Sequence, residues 1–445
     1  MPTQEITRPM RLAALLRRGE RRPYRALFDG GDVASWGDGS ARYSDTPVAT
    51  LTVHASGWAC RRDAGGMRWR WGDPFDALDA FVADARAAYA GAEGAGIAAL
   101  LSYDLKHAVE RLPRRLPWPE TPLLFAALYD WSVYSDYGSG RAWLAAADAR
   151  RFDAQRQWLA RLGEPAPPAA PMPAVSVTPL LSKRAYFDLV TRALEYIAAG
   201  DVYQVNVAQP LDAALGCGDT AALVDAWLQR APMPFAGVLE GETWSVVANS
   251  PECLLTLDGR RVATFPIKGT RRPERASELP RDAKEQAEHV MIVDLERNDL
   301  GRVCEIGSVV VPTLAAVRSF PGVAHLESEV RGELRRDTTL AGVLRAVFPG
   351  GSITGAPKIR AMQIIDELEP APRGFYTGAL GWIDFAGRAR FNIAIRTATL
   401  SPHGMRYWAG GGIVADSDPG REYAETWLKA QSLTQALISL ERSAA

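Results

Sequence analysis

Two apolar runs near the carboxyl end, Ala379-Leu-Gly-Trp-Ile-Asp384 and Phe391-Asn-Ile-Ala-Ile-Arg-Thr-Ala-Thr-Leu400, flank the short segment Phe385-Ala-Gly-Arg388. Residue types alternate along both runs, and the segment between them contains a glycine. This pattern predicts two antiparallel strands joined by a short turn. The bulky side chains of the second strand share one face, so Arg396 is predicted to project from the opposite face.

Mixed α and β structure is predicted on the amino-terminal side of these strands as well. Val48 to Val53 is typical of a strand, and the Ala-rich run from Asp76 to Ala90 is typical of a helix. Five prolines between Pro165 and Pro173 favour extended backbone. We therefore predict three regions: an amino-terminal α/β region at 1–163, packed into the same body as the rest, a proline-rich linker at 164–178 and a catalytic domain at 179–445.

The composition indicates a folded protein that acts on small molecules. The 445 residues include 52 acidic and 51 basic side chains, so no overall positive charge attracts nucleic acid or an anionic membrane. No stretch approaches the ~20 apolar residues that a membrane span needs. The four cysteines form no CxxC pair, which argues against a zinc site or a disulfide framework. We expect reduced thiols and a cytoplasmic location.

A helix predicted from about Arg281 to Asp299 carries the first of two carboxylate pairs. Glu285 and Glu288 are three residues apart, so both lie on the apolar stripe of this helix. A carboxylate that faces a core is costly unless a cation or a metal ion compensates it. The position of these two acids therefore implies a positively charged partner.

A second helix repeats this arrangement near the carboxyl end. Asp418 is a suitable N-cap and Pro419 a suitable first residue, after which Glu422, Glu425 and Lys429 fall within an arc of roughly 60°. Four carboxylates from two helices suit a hard divalent cation such as Mg²⁺. The alternative is that these acids are ordinary solvated helix charges.

Two glycine-rich segments could approach an anion closely. The first, Phe348-Pro-Gly-Gly-Ser-Ile-Thr-Gly-Ala-Pro-Lys-Ile-Arg360, also supplies the hydroxyl of Ser352 and precedes a helix. The second, Gly410-Gly-Gly412, is predicted to follow a strand and could present backbone N–H groups to a carboxylate. Each run taken alone is equally well explained as a turn.

Lysine is rare in this chain, which makes Lys268 conspicuous. Only six of the 51 basic residues are lysine, and Lys268 lies in Pro266-Ile-Lys-Gly-Thr270. A lysine can act as a neutral nucleophile, whereas an arginine cannot. Chance retention of a surface lysine is the alternative interpretation.

Taken together, five ordered motifs closely resemble the chorismate-utilising enzymes, and the resemblance covers about residues 180–440. The motifs are Ser-Pro-Glu252, Pro-Ile-Lys268-Gly-Thr, Glu288-His-Val-Met-Ile-Val-Asp-Leu-Glu-Arg-Asn298, Gly-Ser-Ile-Thr-Gly-Ala-Pro-Lys358 and Gly-Gly-Gly-Ile-Val-Ala-Asp-Ser417. The resemblance implies an α+β fold, a large sandwich of two antiparallel sheets covered by helices. It also implies a Mg²⁺-dependent reaction on the ring of chorismate.

Two positions relate the chain to one group within this family. Lys268 stands where anthranilate synthases typically have alanine, and Gln204 stands where isochorismate-forming enzymes carry a water-activating lysine. At both positions the chain resembles aminodeoxychorismate synthase component I, which acts in p-aminobenzoate and folate biosynthesis. Two alternatives remain open at this point: an anthranilate synthase component I and a non-catalytic regulatory subunit that binds chorismate or tryptophan.

The same resemblance implies a role for each matching residue. Glu252 would be the general acid and Lys268 the nucleophile. Glu288 and Glu425 would ligate Mg²⁺, with Glu285 and Glu422 acting directly or through water. The positions implied in substrate binding are His325, Ser352, Tyr376, Arg396, Gly410, Gly411, Gly412, Lys429, Gly269 and Thr270. A buried structural histidine is the alternative for His325.

The expected substrates are chorismate and ammonia. The chain ends at Ala445, just after the last helix of the family, which leaves no room for a glutaminase domain. We therefore expect a separate glutaminase subunit, aminodeoxychorismate synthase component II, to supply the ammonia. No nucleic acid or membrane partner is expected.

Overall fold

The computed structural model describes residues 2–6, 12–17, 24–30, 40–161, 175–228, 232–320 and 323–442. In chain order, the strands of these ranges are β1 (Thr3–Ile6), β2 (Ala26–Phe28), β3 (Ser40–Ser44), β4 (Ala49–Val53), β5 (Trp58–Asp63), β6 (Gly66–Trp71), β7 (Gly96–Leu101), β8 (Leu124–Tyr129), β9 (Trp131–Asp136), β10 (Arg141–Ala146), β11 (Val177–Pro179), β12 (Gln204–Ala213), β13 (Phe235–Glu240), β14 (Ser245–Ser250), β15 (Cys253–Asp258), β16 (Arg261–Phe265), β17 (Ile267–Arg271), β18 (Val310–Phe320), β19 (Val323–Glu333), β20 (Gly355–Ala356), β21 (Ala379–Asp384), β22 (Arg388–Asn392), β23 (Thr397–Ser401) and β24 (Gly404–Ile413).

The α-helices of the same ranges are α1 (Ala14–Arg17), α2 (Pro74–Ala88), α3 (Lys106–Val109), α4 (Ala149–Arg161), α5 (Lys183–Ala198), α6 (Thr220–Trp227), α7 (Ala283–Gly301), α8 (Leu340–Val347), α9 (Lys358–Leu368) and α10 (Pro419–Arg442). Helix α10 begins where the sequence predicts, because the Asp418 carboxylate accepts hydrogen bonds from the first backbone N–H groups of the helix. Within the described part of the chain, no helix combines the length and apolar character that a membrane crossing requires.

The strands form two twelve-stranded sheets, and every strand pairing in them is antiparallel. The first sheet has the order β1-β10-β9-β3-β2-β13-β14-β23-β24-β12-β11, with β20 beside β12. The second has the order β17-β19-β16-β15-β22-β21-β7-β8-β4-β5-β6, with β18 beside β19. This architecture confirms the predicted α+β fold of two antiparallel sheets covered by helices.

Three apolar clusters hold the layers together. Side chains such as Phe28 and Leu239 of the first sheet meet Leu100 and Leu380 of the second sheet and fill the space between them. Helices α2, α5, α8 and α9 contribute to a cluster with strands of the second sheet. Helices α6 and α10 contribute to a cluster on the first sheet. Each sheet is therefore sandwiched between its partner sheet and a layer of helices.

Both sheets combine strands from the amino-terminal and carboxyl-terminal parts of the chain. In the first sheet Leu27 pairs with Val238, and in the second Leu101 pairs with Ala379. The predicted linker at 164–178 falls largely on residues 162–174, which lie outside the described residues. Its last residues, from Val177 onward, belong to β11 and pair with β12.

The predicted strand from Phe391 to Leu400 proves to be two strands in different sheets. The hairpin itself is confirmed, since β21 and β22 pair with Gly381 opposite Phe391. The second run then breaks: β22 ends at Asn392, and β23 begins at Thr397 in the other sheet. The prediction of one strand was wrong because the alternation of residue types in the sequence continues from Phe391 to Leu400 and gives no sign of where the chain crosses between the sheets. The crossing ends at Arg396, which has a left-handed backbone with φ of +48°.

A fully buried ion pair connects the helices to the sheets beside the crossing. The Arg373 guanidinium lies 2.7 Å from the Glu369 carboxylate, and both side chains are almost inaccessible to water. Arg373 also donates to the carbonyls of Ile353 and Asn206 and to the Thr377 hydroxyl. Glu369 accepts from the backbone N–H of Ala208. One ion pair thus fixes the glycine-rich turn, β12 and the segment that precedes β21.

We expect replacement of Arg373 by leucine to destabilise the fold strongly. The substitution leaves the Glu369 charge buried without its partner, which typically costs about 3–5 kcal/mol. The exposed pair Arg184–Asp188 has the same four-residue spacing and serves as the control, because losing such a surface pair costs less than about 1 kcal/mol. Urea unfolding of Arg373→Leu and Arg184→Leu measures both effects. Equal losses in the two variants would contradict the proposed importance of the buried pair.

Candidate active site

Lys268 lies at the centre of the residues that the motifs single out. It belongs to β17, opposite Leu326 of β19, and its amine makes no ion pair with a described carboxylate. Burial lowers the pKa of Lys268, and the carboxylates of Glu288 and Glu252 nearby oppose this shift. The desolvated environment therefore favours the neutral amine, which is the nucleophilic form.

Gly269, the next residue, has a conformation that requires glycine. Its φ is +67°, and a side chain there would place Cβ 2.7 Å from Cδ2 of Leu279 and 3.3 Å from Oε2 of Glu285. The bend at Gly269 also directs its carbonyl to Nδ1 of His325, at 2.8 Å. The sequence prediction for Thr270 concerns a side chain that lies outside the described residues.

Glu252 is buried between β14 and β15, and its environment suits a general acid. Burial raises the pKa of Glu252 to about 7, while the Ser352 hydroxyl and the Lys268 charge act in the opposite direction. About half of the Glu252 side chains are therefore protonated near neutral pH. A carboxyl with a raised pKa beside an amine with a lowered pKa is a typical acid and nucleophile pair.

The four acids of the predicted metal site lie on α7 and α10, and cations accompany three of them. Arg271 is 3.2 Å from Glu285, Lys284 is 3.9 Å from Glu288, and Lys429 is 2.7 Å from Glu425. These arginine and lysine side chains are positive partners of the kind that the sequence predicts for the acids. Lys284 also binds Asp416, so its contact with Glu288 is the weaker one.

The donor set is chemically suited to Mg²⁺, although the carboxylates do not converge. No group of three His, Cys, Asp or Glu side chains in the described part of the chain is close enough to hold a metal ion. Two acids do meet above Gly411, where a Cβ atom would lie 3.3 Å from Oε2 of Glu422 and 3.5 Å from Oε1 of Glu425. Burial raises the pKa of both Glu422 and Glu288, and a neighbouring carboxylate adds to each shift. A divalent cation would relieve this repulsion.

Arg396 and Tyr376 are two further residues that the family resemblance implies in substrate binding. The Arg396 guanidinium contacts the Met233 sulfur at 3.4 Å but no described carboxylate. Burial lowers the pKa of Arg396, so its charge would be stabilised by an anionic ligand. Tyr376 is buried and stacks on Trp408 with ring centroids 5.7 Å apart. A cation without an ion-pair partner suits the carboxylate of a ligand, and the stacked aromatic side chains suit a planar ring.

Gly410, Gly411 and Gly412 lie inside β24, not after it as the sequence suggested. They pair with Ala208, Val207 and Asn206 of β12, respectively. Gly410 needs to be glycine, because a Cβ atom there would lie 2.2 Å from the carbonyl oxygen of Val207. The paired strand β23 covers only Gly404 to Tyr407 on the other edge of β24. On that side, β23 therefore does not pair with the backbone of Gly410–Gly412.

Two further predicted binding residues lie close to this strand or to β17. Lys429 donates to the Gly410 carbonyl at 2.7 Å as well as to Glu425. His325 is buried, and burial lowers its pKa to about 4, so its ring is neutral near pH 7. Because the Gly269 carbonyl can only accept, Nδ1 of His325 carries the proton. This geometry fits both interpretations of His325, the structural one and the binding one.

Sequence comparison with a protein-family model decides the family. The model described as "chorismate binding enzyme" matches residues 9–435 of this chain. The chain belongs to this family. The match includes all candidate site residues and confirms the resemblance of the five motifs.

Several proteins of the chorismate binding family are similar over most of their length. Aminodeoxychorismate synthase component 1 of Bacillus subtilis is 36% identical over 363 residues, which cover 77% of each chain. Anthranilate synthase component 1 of Thermus thermophilus is 40% identical over 366 residues, or 78% of each chain. The crystal structure of anthranilate synthase component I from Streptococcus pneumoniae has a TM-score of 0.77 and 27% identity, covering 94% of this chain and 93% of its own. The comparisons therefore establish an enzyme family that acts on chorismate, with two activities among its similar members.

Three residues in or near the site were not assigned a role from sequence. Glu296 is buried on α7, and burial raises its pKa to about 8. His289, also on α7, is buried with Nε2 2.6 Å from the Ser328 hydroxyl. Arg373 and its partner form the ion pair described above. A spacing of eight residues from Glu288 to Glu296 would have placed both acids near one helix face, but solvated charge is the commoner fate of such a residue.

We expect replacement of Glu252 by glutamine to stabilise the protein at alkaline pH and not at acid pH. The pKa of Glu252 rises from an ordinary 4.5 to about 7 on folding. The stability that this group contributes is therefore complete below about pH 4.5 and is lost as the pH rises through about 7. Glutamine does not ionise, so at pH 8.5 the variant should be more stable by up to about 3 kcal/mol.

Thermal unfolding of Glu252→Gln at pH 5 and pH 8.5 tests this expectation. The exposed Glu120 provides a control, since Glu120→Gln should leave the unfolding temperature unchanged at both pH values. A Glu252→Gln variant that loses the same stability at pH 5 and at pH 8.5 would show that folding does not raise the pKa of Glu252.

Proposed function

We propose that this chain is the chorismate-aminating component of an aminodeoxychorismate synthase. The observation that carries the proposal is Lys268: a desolvated amine without an ion-pair partner among the described carboxylates, in the electrostatic neighbourhood of the protonatable Glu252. An amine in this state is prepared to form a bond to carbon. The similarity to the Bacillus subtilis aminodeoxychorismate synthase component 1 supports the same activity.

In the proposed mechanism, amination of C4 proceeds in two displacements. Glu252 gives its proton to the C4 hydroxyl of chorismate, which leaves as water while the neutral Lys268 nitrogen bonds to C2 and both ring double bonds shift by one position. Ammonia then bonds to C4, both double bonds shift back, and the bond between C2 and Lys268 breaks, so that the lysine leaves as the neutral amine. The enolpyruvyl ether stays intact. The first displacement avoids hydroxide as a leaving group, because Glu252 supplies its proton.

Substrate binding in this proposal uses the charges that the protein leaves uncompensated. Arg396, with Tyr376 and the backbone of Gly410–Gly412, would hold the enolpyruvyl carboxylate. Lys429 would lie near the ring carboxylate, with His325 and Ser352 beside the ring. Glu288 and Glu425, assisted by Glu285 and Glu422, would hold Mg²⁺, which would neutralise and orient the ring carboxylate.

The ammonia would come from glutamine through a separate glutaminase subunit. None of the residues assigned to the site resembles the machinery for glutamine hydrolysis, so free ammonium should replace glutamine when the chain acts alone. The four cysteines are free and buried. This state supports the proposed location in the reducing cytoplasm.

Anthranilate synthase activity is the second candidate, because relatives at about the same identity carry that name. The two reactions differ in the fate of the aminated ring: an anthranilate synthase eliminates pyruvate, whereas an aminodeoxychorismate synthase retains the enolpyruvyl group. The amine of Lys268 favours the second outcome, because covalent attachment at C2 directs ammonia to C4. The two candidates are therefore separated by the product.

The assignment is tested by incubating the chain with chorismate, MgCl₂ and ammonium chloride at pH 8.5 and identifying the product. Mass spectrometry should detect an aminated product that retains the enolpyruvyl group, and glutamine alone should give none. Lys268→Ala should reduce the rate by at least about 100-fold, because effects on a covalent nucleophile are typically of this size or larger. Lys183→Ala, which changes an exposed lysine on α5, serves as the control. Anthranilate and pyruvate as the products would overturn the assignment.

Metal dependence is tested separately. EDTA should abolish turnover, and added MgCl₂ should restore it. Without a metal ion, the negative charges of several glutamates would repel the ring carboxylate of the substrate. Glu425→Gln should raise the MgCl₂ concentration needed for half-maximal rate by about tenfold or more, in line with the loss of a hard oxygen ligand. Glu195→Gln, at an exposed position on α5, should leave this concentration unchanged. Full activity in EDTA would rule out the metal role of the four acids.

A further inference from the structure

Two residues among the candidate site segments have a backbone conformation that is unusual for their side chains. Thr377 has φ of +57°, and Arg396 has φ of +48°. Residues other than glycine seldom adopt this left-handed region, and a β-branched residue such as threonine is an outlier there. Such conformations persist only where the surrounding contacts enforce them, and they are frequent at functional sites. The contacts that hold Thr377 in this conformation therefore bear on its role.

The backbone of Thr377 contacts the crossing between the two sheets. The Thr377 N–H donates to the Ala394 carbonyl at 2.9 Å, and the Ala394 N–H donates to the Gly378 carbonyl at 2.9 Å. Ala394 belongs to the crossing, which starts after Asn392 and ends at Arg396. The conformation of the backbone at Thr377 is therefore coupled to that of the crossing, two residues before Arg396.

The hydroxyl of Thr377 connects the same segment to the buried ion pair. It donates to the Tyr376 carbonyl at 2.6 Å and accepts from the Arg373 guanidinium at 3.2 Å. The guanidinium is in turn fixed by the Glu369 carboxylate at 2.7 Å. Thr377 is only 1% exposed, so water does not compete for these contacts. Glycine would relieve the backbone strain at this position, but it has no side chain to make the two hydrogen bonds.

The side chains on both sides of this contact are those with proposed binding roles. Tyr376 immediately precedes Thr377 and packs in one cluster with Trp408 and Ile395. Ile395 in turn immediately precedes Arg396. A rotation of the backbone at Thr377 would therefore displace the Tyr376 ring and the end of the crossing together.

We propose that Thr377 is a positioning residue for the carboxylate of the substrate: its hydroxyl and its left-handed backbone connect the buried ion pair to Tyr376 and Arg396 and fix their orientation. This proposal rests on the proposed function, which assigns these two residues to the enolpyruvyl carboxylate. A guanidinium makes two parallel hydrogen bonds to a carboxylate only in a defined orientation. Thr377 thus acts through Arg396 and not on the substrate itself.

The expected signature is weaker binding of chorismate with little change in turnover. Thr377→Gly removes the strain and the hydroxyl together and should raise the KM for chorismate about tenfold, because small displacements of binding groups have large effects. The kcat should change less than about threefold, since Lys268 and Glu252 are unaltered. Thr377→Ser keeps the hydroxyl, so its KM should stay within about threefold of the parental value.

Thr46 provides a matched control in another part of the chain. It also has a left-handed backbone, with φ of +48°, and its hydroxyl also accepts from an arginine, Arg151, at 3.1 Å. It lies between β3 and β4, outside the candidate site. Thr46→Gly should therefore leave the KM for chorismate unchanged. An equal rise of the KM in both glycine variants would indicate a general effect of lost strain on the fold and would contradict the proposal.

A double-mutant cycle tests whether Thr377 acts through Arg396. In the Arg396→Ala background, Thr377→Gly should change the KM for chorismate by less than about twofold, because the side chain that Thr377 positions is absent. If the KM rises about tenfold in this background as well, Thr377 acts independently of Arg396 and the proposal is wrong. The proposal also fails if Thr377→Gly alone keeps the parental KM.

The assay follows the consumption of chorismate, so anthranilate as the product would overturn the proposed function and still test the positioning role. Where turnover is too slow to measure, the calorimetric Kd for chorismate replaces the KM. A folded parent chain that does not bind chorismate would refute both proposals. Thermal unfolding shows whether each variant is folded. If Thr377→Gly does not fold, Thr377→Ser decides: a rise of its KM of about tenfold would exclude the role of the hydroxyl.

Discussion

A buried charge needs an opposite charge and hydrogen-bond partners close to it. The pair of Arg373 and Glu369 shows how this requirement organises the fold. Neither side chain reaches water, so their hydrogen bonds must all be made within the protein. The partners that make them belong to β12, to the turn at Ile353 and to the segment before β21. These are the segments that carry or adjoin the proposed substrate site. The ion pair restrains the backbone segments around the proposed site, and the site is therefore rigid.

The residues to which the proposed function gives catalytic and substrate-binding roles have the opposite property. Lys268 and Arg396 are desolvated cations without a carboxylate partner among the described residues, and Glu252 is a buried acid whose pKa is raised to about 7. Such groups reduce the stability of the free protein and gain most from a ligand of complementary charge. A dianionic substrate with a hydroxyl to be protonated supplies what each of them lacks. The pair of Arg373 and Glu369 therefore stabilises the fold, whereas Lys268, Arg396 and Glu252 provide the proposed reactivity. The two groups of residues adjoin.

The sequence predicted the elements that depend on local chemistry and missed those that depend on long-range geometry. The cap at Asp418 and the hairpin before Phe391 could be identified, because a few neighbouring residues determine them. The crossing at Arg396 could not, since the alternation of apolar residues does not reveal which sheet a strand enters. The glycines at 410–412 look like a turn in the sequence, because the close approach of β12 that requires Gly410 comes from residues some 200 positions earlier. Glu296 likewise became conspicuous only when its burial on α7 was known. The roles of the candidate site residues came from the family resemblance and stay predictions.

The pairing of β7 with β21 also has a consequence for synthesis in the cell. Leu101 and Ala379 are adjacent in the second sheet, yet 278 residues separate them along the chain. At roughly 5–20 residues per second, a ribosome needs about 15–55 s to add that interval. Throughout this time the edge of β7 that later receives β21 is without its native neighbour, and exposed strand edges promote aggregation. Such a topology, dominated by non-local pairs, folds slowly, so the nascent chain is a natural client for chaperones that shield unpaired strands.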